Sequence, residues 1–387
     1  MIQDCWQLSE ERGLLIQPDP IACLQDVLDP DFPVSPQVIA EIEGLARDLA
    51  RLLDTRQVRK TLDDLPVYDF AALANYVPAY GFAVIERLHQ IYAFFASASI
   101  YATHEAPARR IPAGVAVPLV QLSHLVQRPP ILAYCGYVLN NWRRLDPDGP
   151  IALDNLALNQ TFLGSRDEAW FVLTHVEVEA RAARLLTGLR DAVQAARNED
   201  AEGVMAGLAA INLGLHDIMR TFERITEGCD PDYYYRLVRP YNFGFSDVRY
   251  EGIEAFGEQP RMVRGQSGAQ SSIIPALLSG LGIQHETSDL TRHLEVMRAY
   301  MPKPHRDFIA AMSASALRAL VVWQGAGSPL AEAYNDCLET LMAFRRMHYH
   351  YVNLYIFQKV DNPLGTGGTP FMDWLHQLIG ETERHRV

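Results

Sequence analysis

Residues 337–355 read CLETLMAFRRMHYHYVNLY, and the spacing of their apolar side chains decides the fold. Cys337, Leu341, Phe344, His348, Val352 and Tyr355 recur at three and four residues, the helical period, so a long helix with one apolar face is predicted. His348 stands on that face. An uncharged imidazole there either bonds a backbone carbonyl in the core or ligates a metal or a haem iron. His350 is turned to roughly the opposite side, at about 100° per residue, so the two histidines form no chelate. Arg345 and Arg346 precede His348 by less than one turn, either as solvated basic residues or as partners for a haem propionate. Cys337 reads as a small core residue and not as a thiolate ligand. The chain has no Cys-x-x-Cys-His motif, so a covalently attached c-type haem is excluded and any haem is b-type.

Working outward, the same period recurs. Val38, Ile42, Leu45, Leu49 and Leu52 mark a helix capped by Ser35-Pro36. Leu73 to Ile100 reads as helix broken near Pro78. Pro107 to Pro118 reads as a loop, and Pro129-Pro130 as the opening of a helix to about Arg144. Asp146-Pro147-Asp148-Gly149-Pro150 stops it and is the candidate boundary between two domains, 1–148 and 149–387. Ser165-Arg166-Asp167-Glu168 has the pattern of a capping box, and Phe171, His175, Val178, Ala182, Leu185 and Leu189 trace the apolar stripe that follows. His175 therefore also projects from a helix into apolar surroundings. A further helix is predicted over Val204 to Glu227, and Asp230-Pro231 caps a short one carrying Tyr233, Tyr234, Tyr235 and Arg239. Residues 240–270 are Gly-rich and aperiodic, a long loop of a kind usually kept for function. Strand alternation is hard to find, so the fold class is all-α.

Composition narrows the partners. A chain of 387 residues with 49% hydrophobic and 21% charged residues is an ordinary globular protein, large enough for two domains. Its net charge of -13, with no long Lys/Arg run, argues against nucleic acid or an anionic membrane. No apolar stretch near 20 residues is present, so no membrane span is expected. The five cysteines are scattered, and the N-terminus lacks a basic segment followed by an apolar run; both fit a cytoplasmic protein. Gly365 to Thr369 (GTGGT) lacks the Lys-Ser/Thr and the preceding strand of a phosphate loop, and reads as a hinge-rich lid.

Seven ordered blocks resemble one family. They are Pro129 to Tyr134 with Asn141-Trp142, Tyr233 to Pro240, Gly265 to Ser272 (GQSGAQSS), Leu281 to Gln284, Met301 to Arg306, Ala343 to Tyr355, and Gly365 to Thr369. In this order, over about residues 110–372, they resemble indoleamine 2,3-dioxygenase, the haem enzyme that opens the indole ring of tryptophan. The resemblance implies a small N-terminal helical domain over a larger one, with haem b (iron protoporphyrin IX) between them and dioxygen as co-substrate. His348 matches the proximal iron ligand and Arg345 an arginine on a haem propionate. Arg239 matches the partner of the substrate carboxylate, and Tyr234 and Tyr235 a pair of pocket phenylalanines. Tyr134, Tyr137, Val138, Phe171 and His175 fall at positions lining the distal pocket. Ser267 and Gly268 lie on the loop touching substrate and haem, and Thr369 on the closing loop. His175, Arg239 and Ser267 are the expected catalytic set.

Three departures stand out. Leu278 occupies the place of an aspartate near the proximal histidine. His175 replaces a serine, as in the related tryptophan 2,3-dioxygenases. Tyrosines replace the two phenylalanines, and Tyr137 stands where a smaller residue is common. The implied reaction inserts dioxygen across the indole C2–C3 bond of L-tryptophan or a related indole, with a separate electron donor keeping the iron ferrous. A different class is a non-catalytic haem protein that carries or senses oxygen, and a third is a helical scaffold without cofactor. A carboxylate clamp at Arg239 favours the enzyme, because oxygen storage needs none.

Overall fold

The computed structural model describes residues 6, 8–28, 32–80, 83–257, 259–313, 315–359 and 371–387. Their fold is all-α, with strands confined to two small sheets. Ser35 caps the helix Pro36–Asp54 by accepting from the Val38 N–H at 3.4 Å, with Pro36 in the first turn, as the spacing predicts.

The helix Ala83–Ile100 is buried on every side, which places it at the centre of one core. Its polar groups are paired there. Arg87 meets Glu43 at 2.9 Å, and the Gln90 amide donates to the carbonyls of Gly136 at 2.8 Å and Asn140 at 3.2 Å. Those two carbonyls belong to the segment predicted to run helical to Arg144. The chain instead makes one wide π-helical turn, Cys135–Leu139, in which Asn140 N–H bonds back to the Cys135 carbonyl at 2.9 Å. Capture of the following carbonyls by Gln90 and by the Trp142 indole N–H ends the helix early. Arg143–Arg144 then pairs with Leu156–Ala157 as a two-stranded sheet.

Two loop readings are corrected. Residues 107–118 contain the start of a helix, Ala113–Val126, with Pro118 inside it. The helix survives the missing N–H because Val115, Leu119 and Leu122 bury one face in the core that also holds Ala83–Ile100. Residues 240–270 contain a strand, Phe245–Tyr250, antiparallel to Arg261–Val263 and parallel to Arg110–Ile111. A bulge between Phe245 and Val248, with Asp247 at φ 61°, breaks the two-residue alternation that would have announced it.

A second core packs Ala183–Arg197 against Ala201–Glu223 and lays Pro329–Tyr355 across the latter. Gly188, Gly207 and Gly214 let the first two backbones touch: a Cβ on Gly214 would stand 2.7 Å from the Leu185 backbone nitrogen. The helix Arg166–Arg181 serves both cores, giving Val172, Leu173, Val176 and Ala180 to the first and Val178 to the second. Only half of its predicted capping box forms. Ser165 Oγ accepts from the Glu168 N–H at 3.2 Å, but the Glu168 carboxylate turns to the N–H groups of Phe162 and Leu163, both at 2.8 Å. The described helices include none long and apolar enough to cross a membrane.

Candidate active site

Helical spacing brings His348 against the second core, beside Phe344 and Phe222. Cys337, Leu341 and Tyr355 of its stripe are buried, and Phe344, His348 and Val352 are half-buried. The His348 imidazole is stacked on Phe344, with centroids 6.3 Å apart and planes within 3°, and stands 6.3 Å from Phe222. It makes no hydrogen bond among the described residues. Burial and the neighbouring His175 push its pKa down to about 4, so at neutral pH it is an uncharged ring with a lone pair to give.

His175 reaches the same place from the opposite helix. Its ring lies 5.5 Å from Phe222, so both imidazoles touch the same phenylalanine. Its Nδ1 faces the Phe171 carbonyl at 2.7 Å, the bond of a core histidine, and burial lowers its pKa while that carbonyl opposes the shift. With Nδ1–H donating, Nε2 carries the lone pair and has no hydrogen-bond partner among the described residues. Aromatic rings close round it: Phe171 at 4.6 Å and Tyr134 at 6.3 Å. Phe171 also stacks on Tyr234 at 4.3 Å, and Tyr234 meets Tyr355 at 5.8 Å.

Asp230 caps the next wall, accepting from Tyr233 N–H at 2.8 Å, as the sequence predicts. The chain then widens into a second π-helical turn, Tyr234–Val238, and tightens into a 3-10 turn, Arg239–Asn242. This change of pitch buries Arg239, 3% exposed, between Tyr235 at 5.1 Å and Phe243 at 4.9 Å. Burial lowers its pKa, and Tyr234 and Tyr235 act against that shift. The Asn242 amide stands beside the hydroxyls of Tyr137 and Tyr234, whose pKa values burial raises. Tyr137 and Val138 are fully buried in the first π-helical turn.

The third wall is the segment from Ser267. Ser267 Oγ accepts from Ala269 N–H at 3.2 Å, and Gly268 faces open space. Gln270 and Ser271 tie this segment inward. Gln270 Oε1 accepts from the Tyr134 N–H at 2.8 Å, and Ser271 Oγ donates to Glu179 Oε1 at 2.6 Å.

The chemistry of the donors fits a haem iron. A neutral, half-buried imidazole with no hydrogen bond to a described residue offers its lone pair, and a second imidazole touches the same Phe222 ring among further aromatic rings.

A sequence model of the family described as Indoleamine 2,3-dioxygenase matches residues 4–363. The chain belongs to the indoleamine 2,3-dioxygenase family. It is 29% identical to indoleamine 2,3-dioxygenase 2 of Mus musculus, over 97% of this chain and 93% of that protein. It is 28% identical to indoleamine 2,3-dioxygenase 1 of Rattus norvegicus, over 88% of each. Against the indoleamine 2,3-dioxygenase of Saccharomyces cerevisiae it is 29% identical, over 88% of this chain and 86% of the other. Members of the family are haem-dependent oxidoreductases that open the indole ring, and this chain is an enzyme of that class.

Within the family frame, Tyr134, Phe171, His175 and Tyr234 form one run of contacts that reaches His348 through Phe222, and Arg239 with Tyr235 stands beside Tyr234. Arg345 is 4% exposed and points the other way. It donates to the Leu378 carbonyl and the Thr382 hydroxyl of the helix Phe371–Glu383, and approaches His285 Nε2 at 3.3 Å. Arg346 pairs with Glu339 at 3.0 Å on the surface. Thr369 and the GTGGT lid lie outside the described residues. Two participants escaped sequence reasoning. Phe222 ends an ordinary amphipathic helix and carries no signal of its own. Glu179 does carry one: an acid four residues after His175 shares its helical face.

Proposed function

We propose that this protein is a haem-dependent dioxygenase that inserts both atoms of dioxygen across the C2–C3 bond of L-tryptophan or a related indole, giving an N-formylkynurenine-type product. The observation that carries this reading is the buried Arg239 set beside an aromatic cluster that also contains His175 and reaches His348 through Phe222. A gas-storage site has no use for such a cation, so the oxygen-carrier reading is the weaker one.

His348 is the residue to hold haem b, through the lone pair that its low pKa keeps free. When bound there, the haem supplies the activation of dioxygen that no side chain provides. The protein's own work is positioning. Arg239 offers a planar fork to the substrate carboxylate, already desolvated and braced by Tyr235 and Phe243, so little order is lost on binding. Phe171 and Tyr234 present ring faces to the indole. His175, neutral and fixed by its bond to Phe171, accepts the indole N–H at Nε2 and excludes water from the same face. Ser267 and Gly268 border the open side. Arg345 can serve a propionate only by leaving Leu378 and Thr382, so we assign it first to the C-terminal helix. A donor of electrons external to the chain keeps the iron ferrous.

The test is anaerobic reduction of the haem-loaded protein, addition of L-tryptophan, then oxygen, with product followed by absorbance and mass. A product heavier than the substrate by two oxygen atoms supports the reading. Reversible oxygen binding without product overturns it in favour of a carrier.

A further inference from the structure

Glu179 lies one turn beyond His175, is 2% exposed, and receives two hydroxyl groups on a single oxygen. Tyr134 Oη donates to its Oε1 at 3.0 Å and Ser271 Oγ donates to the same atom at 2.6 Å. These donors come from the two segments that build the distal side beyond the His175 helix: Tyr134 opens the first π-helical turn, and Ser271 follows Ser267 and Gly268. Gln270 adds a parallel bond to the Tyr134 N–H, and its amide donates to the Gly265 carbonyl at 2.8 Å. One buried carboxyl therefore joins three elements of the pocket wall without facing the iron ligand.

We propose that Glu179 is a positioning residue: as a carboxylate it clamps Tyr134 and the Ser267–Ser271 segment against the His175 helix, and on taking up a proton it loosens them. Burial pushes its pKa up to about 7, while the bonds from Ser271 and Tyr134 pull the other way. Tyr134 from the π-helical turn, Ser271 from the loop segment and His175 from its own helix are the groups about it; no charged side chain among the described residues shifts it. The clamp therefore changes strength near neutrality. When the Ser267–Ser271 segment moves off while Glu179 itself stays buried, only the hydroxyl bonds are lost, and a charged acceptor holds those donors more strongly than a neutral one. Ionising the same buried carboxyl nevertheless lowers the stability of the whole fold. Only the kinetic consequence rests on the dioxygenase reading.

The test combines hydrogen exchange with kinetics, using the full chain. Exchange at residues 265–272, corrected for intrinsic rates, is expected to slow by about tenfold between pH 6 and pH 8 in the wild type. Glu179→Gln keeps the acceptor but not the charge, and should show no such change. With L-tryptophan and the haem-loaded enzyme, kcat/KM should rise through an inflection near pH 7, mostly through KM, and that inflection should vanish in Glu179→Gln. Ser271→Ala removes one bond that favours the carboxylate, so it should move both transitions to higher pH; it also decides the matter if Glu179→Gln fails to fold. Wild-type protection and an unmoved inflection in the variants would overturn the assignment. If the wild type opens no indole ring, the dioxygenase reading fails while the exchange measurement still judges Glu179.

Discussion

Replacing His348 by Ala should give a folded protein that lacks the haem absorption band, because among the described residues no second histidine stands on that face of its helix; retention of the band, with loss on His350→Ala, would reverse the assignment. Arg239→Ala should cost about 1.5–3 kcal/mol in transition-state binding, roughly 10- to 150-fold in kcat/KM, on a carboxylated indole and far less on one without the carboxylate. Equal losses on both would make Arg239 a structural cation. His175→Ser tests orientation against base catalysis: a modest rise in KM fits an orienting Nε2, whereas a loss of about 10²-fold or more in kcat fits a base. The face of His348 was legible because periodicity reports which side of a helix is apolar. What shares that face from other helices was not, so Phe222, which touches both imidazoles, was invisible until the fold was known. Arg345 shows the converse. Its neighbourhood on the helix was legible, but the helix Phe371–Glu383 that takes its guanidinium lies remote in sequence.

Among the elements, the helices with uninterrupted stripes were readable and the irregular walls were not. Pro118 disguised a helix, and a bulge disguised the strand Phe245–Tyr250. In each case packing against the first core outweighs a local rule, as tertiary contacts commonly do. The contact between Ala183–Arg197 and Ala201–Glu223 allows a direct measurement. Gly214→Ala gains at most about 1 kcal/mol of helix propensity. The new Cβ would meet the Leu185 backbone at 2.7–2.9 Å, where overpacking costs about 1–3 kcal/mol. The variant should melt below the wild type; a higher melting temperature would show that the helices can part freely.

For the whole molecule, acid is the expected weakness. His305 is buried between Ser272 Oγ and the Leu14 carbonyl, both at 3.0 Å, and burial pushes its pKa down to about 4. His285, against Glu381 at 2.5 Å, is likewise pushed down to about 4 by burial and then by Arg345. Unfolded histidines bind protons near pH 6.5, so between about 4 and 6.5 the unfolded chain holds more protons and stability falls as pH falls. For His305 this amounts to about 3 kcal/mol at most across the window. Denaturant midpoints at pH 7 and pH 4.5 would reveal it, and His305→Gln should flatten the difference. Glu179 acts in the opposite sense: its raised pKa removes stability as pH rises from about 4.5 towards 7. The all-α class was legible from the helical period and the scarcity of strand alternation; this balance of buried acids and bases was not, because it depends on which helices meet.

The two π-helical turns, Cys135–Leu139 and Tyr234–Val238, bear on how such a pocket changes during evolution or design. A wide turn holds one residue more than an ordinary one, so deleting a single residue there restores α pitch and leaves the chain after it close to its place, while the side chains within the turn are re-aimed. Such a deletion in the second turn would re-aim Tyr234 and Tyr235 in one step while Arg239 keeps its approximate place. Length variation at these two sites, more than substitution along the long helices, is then the short route to a different substrate.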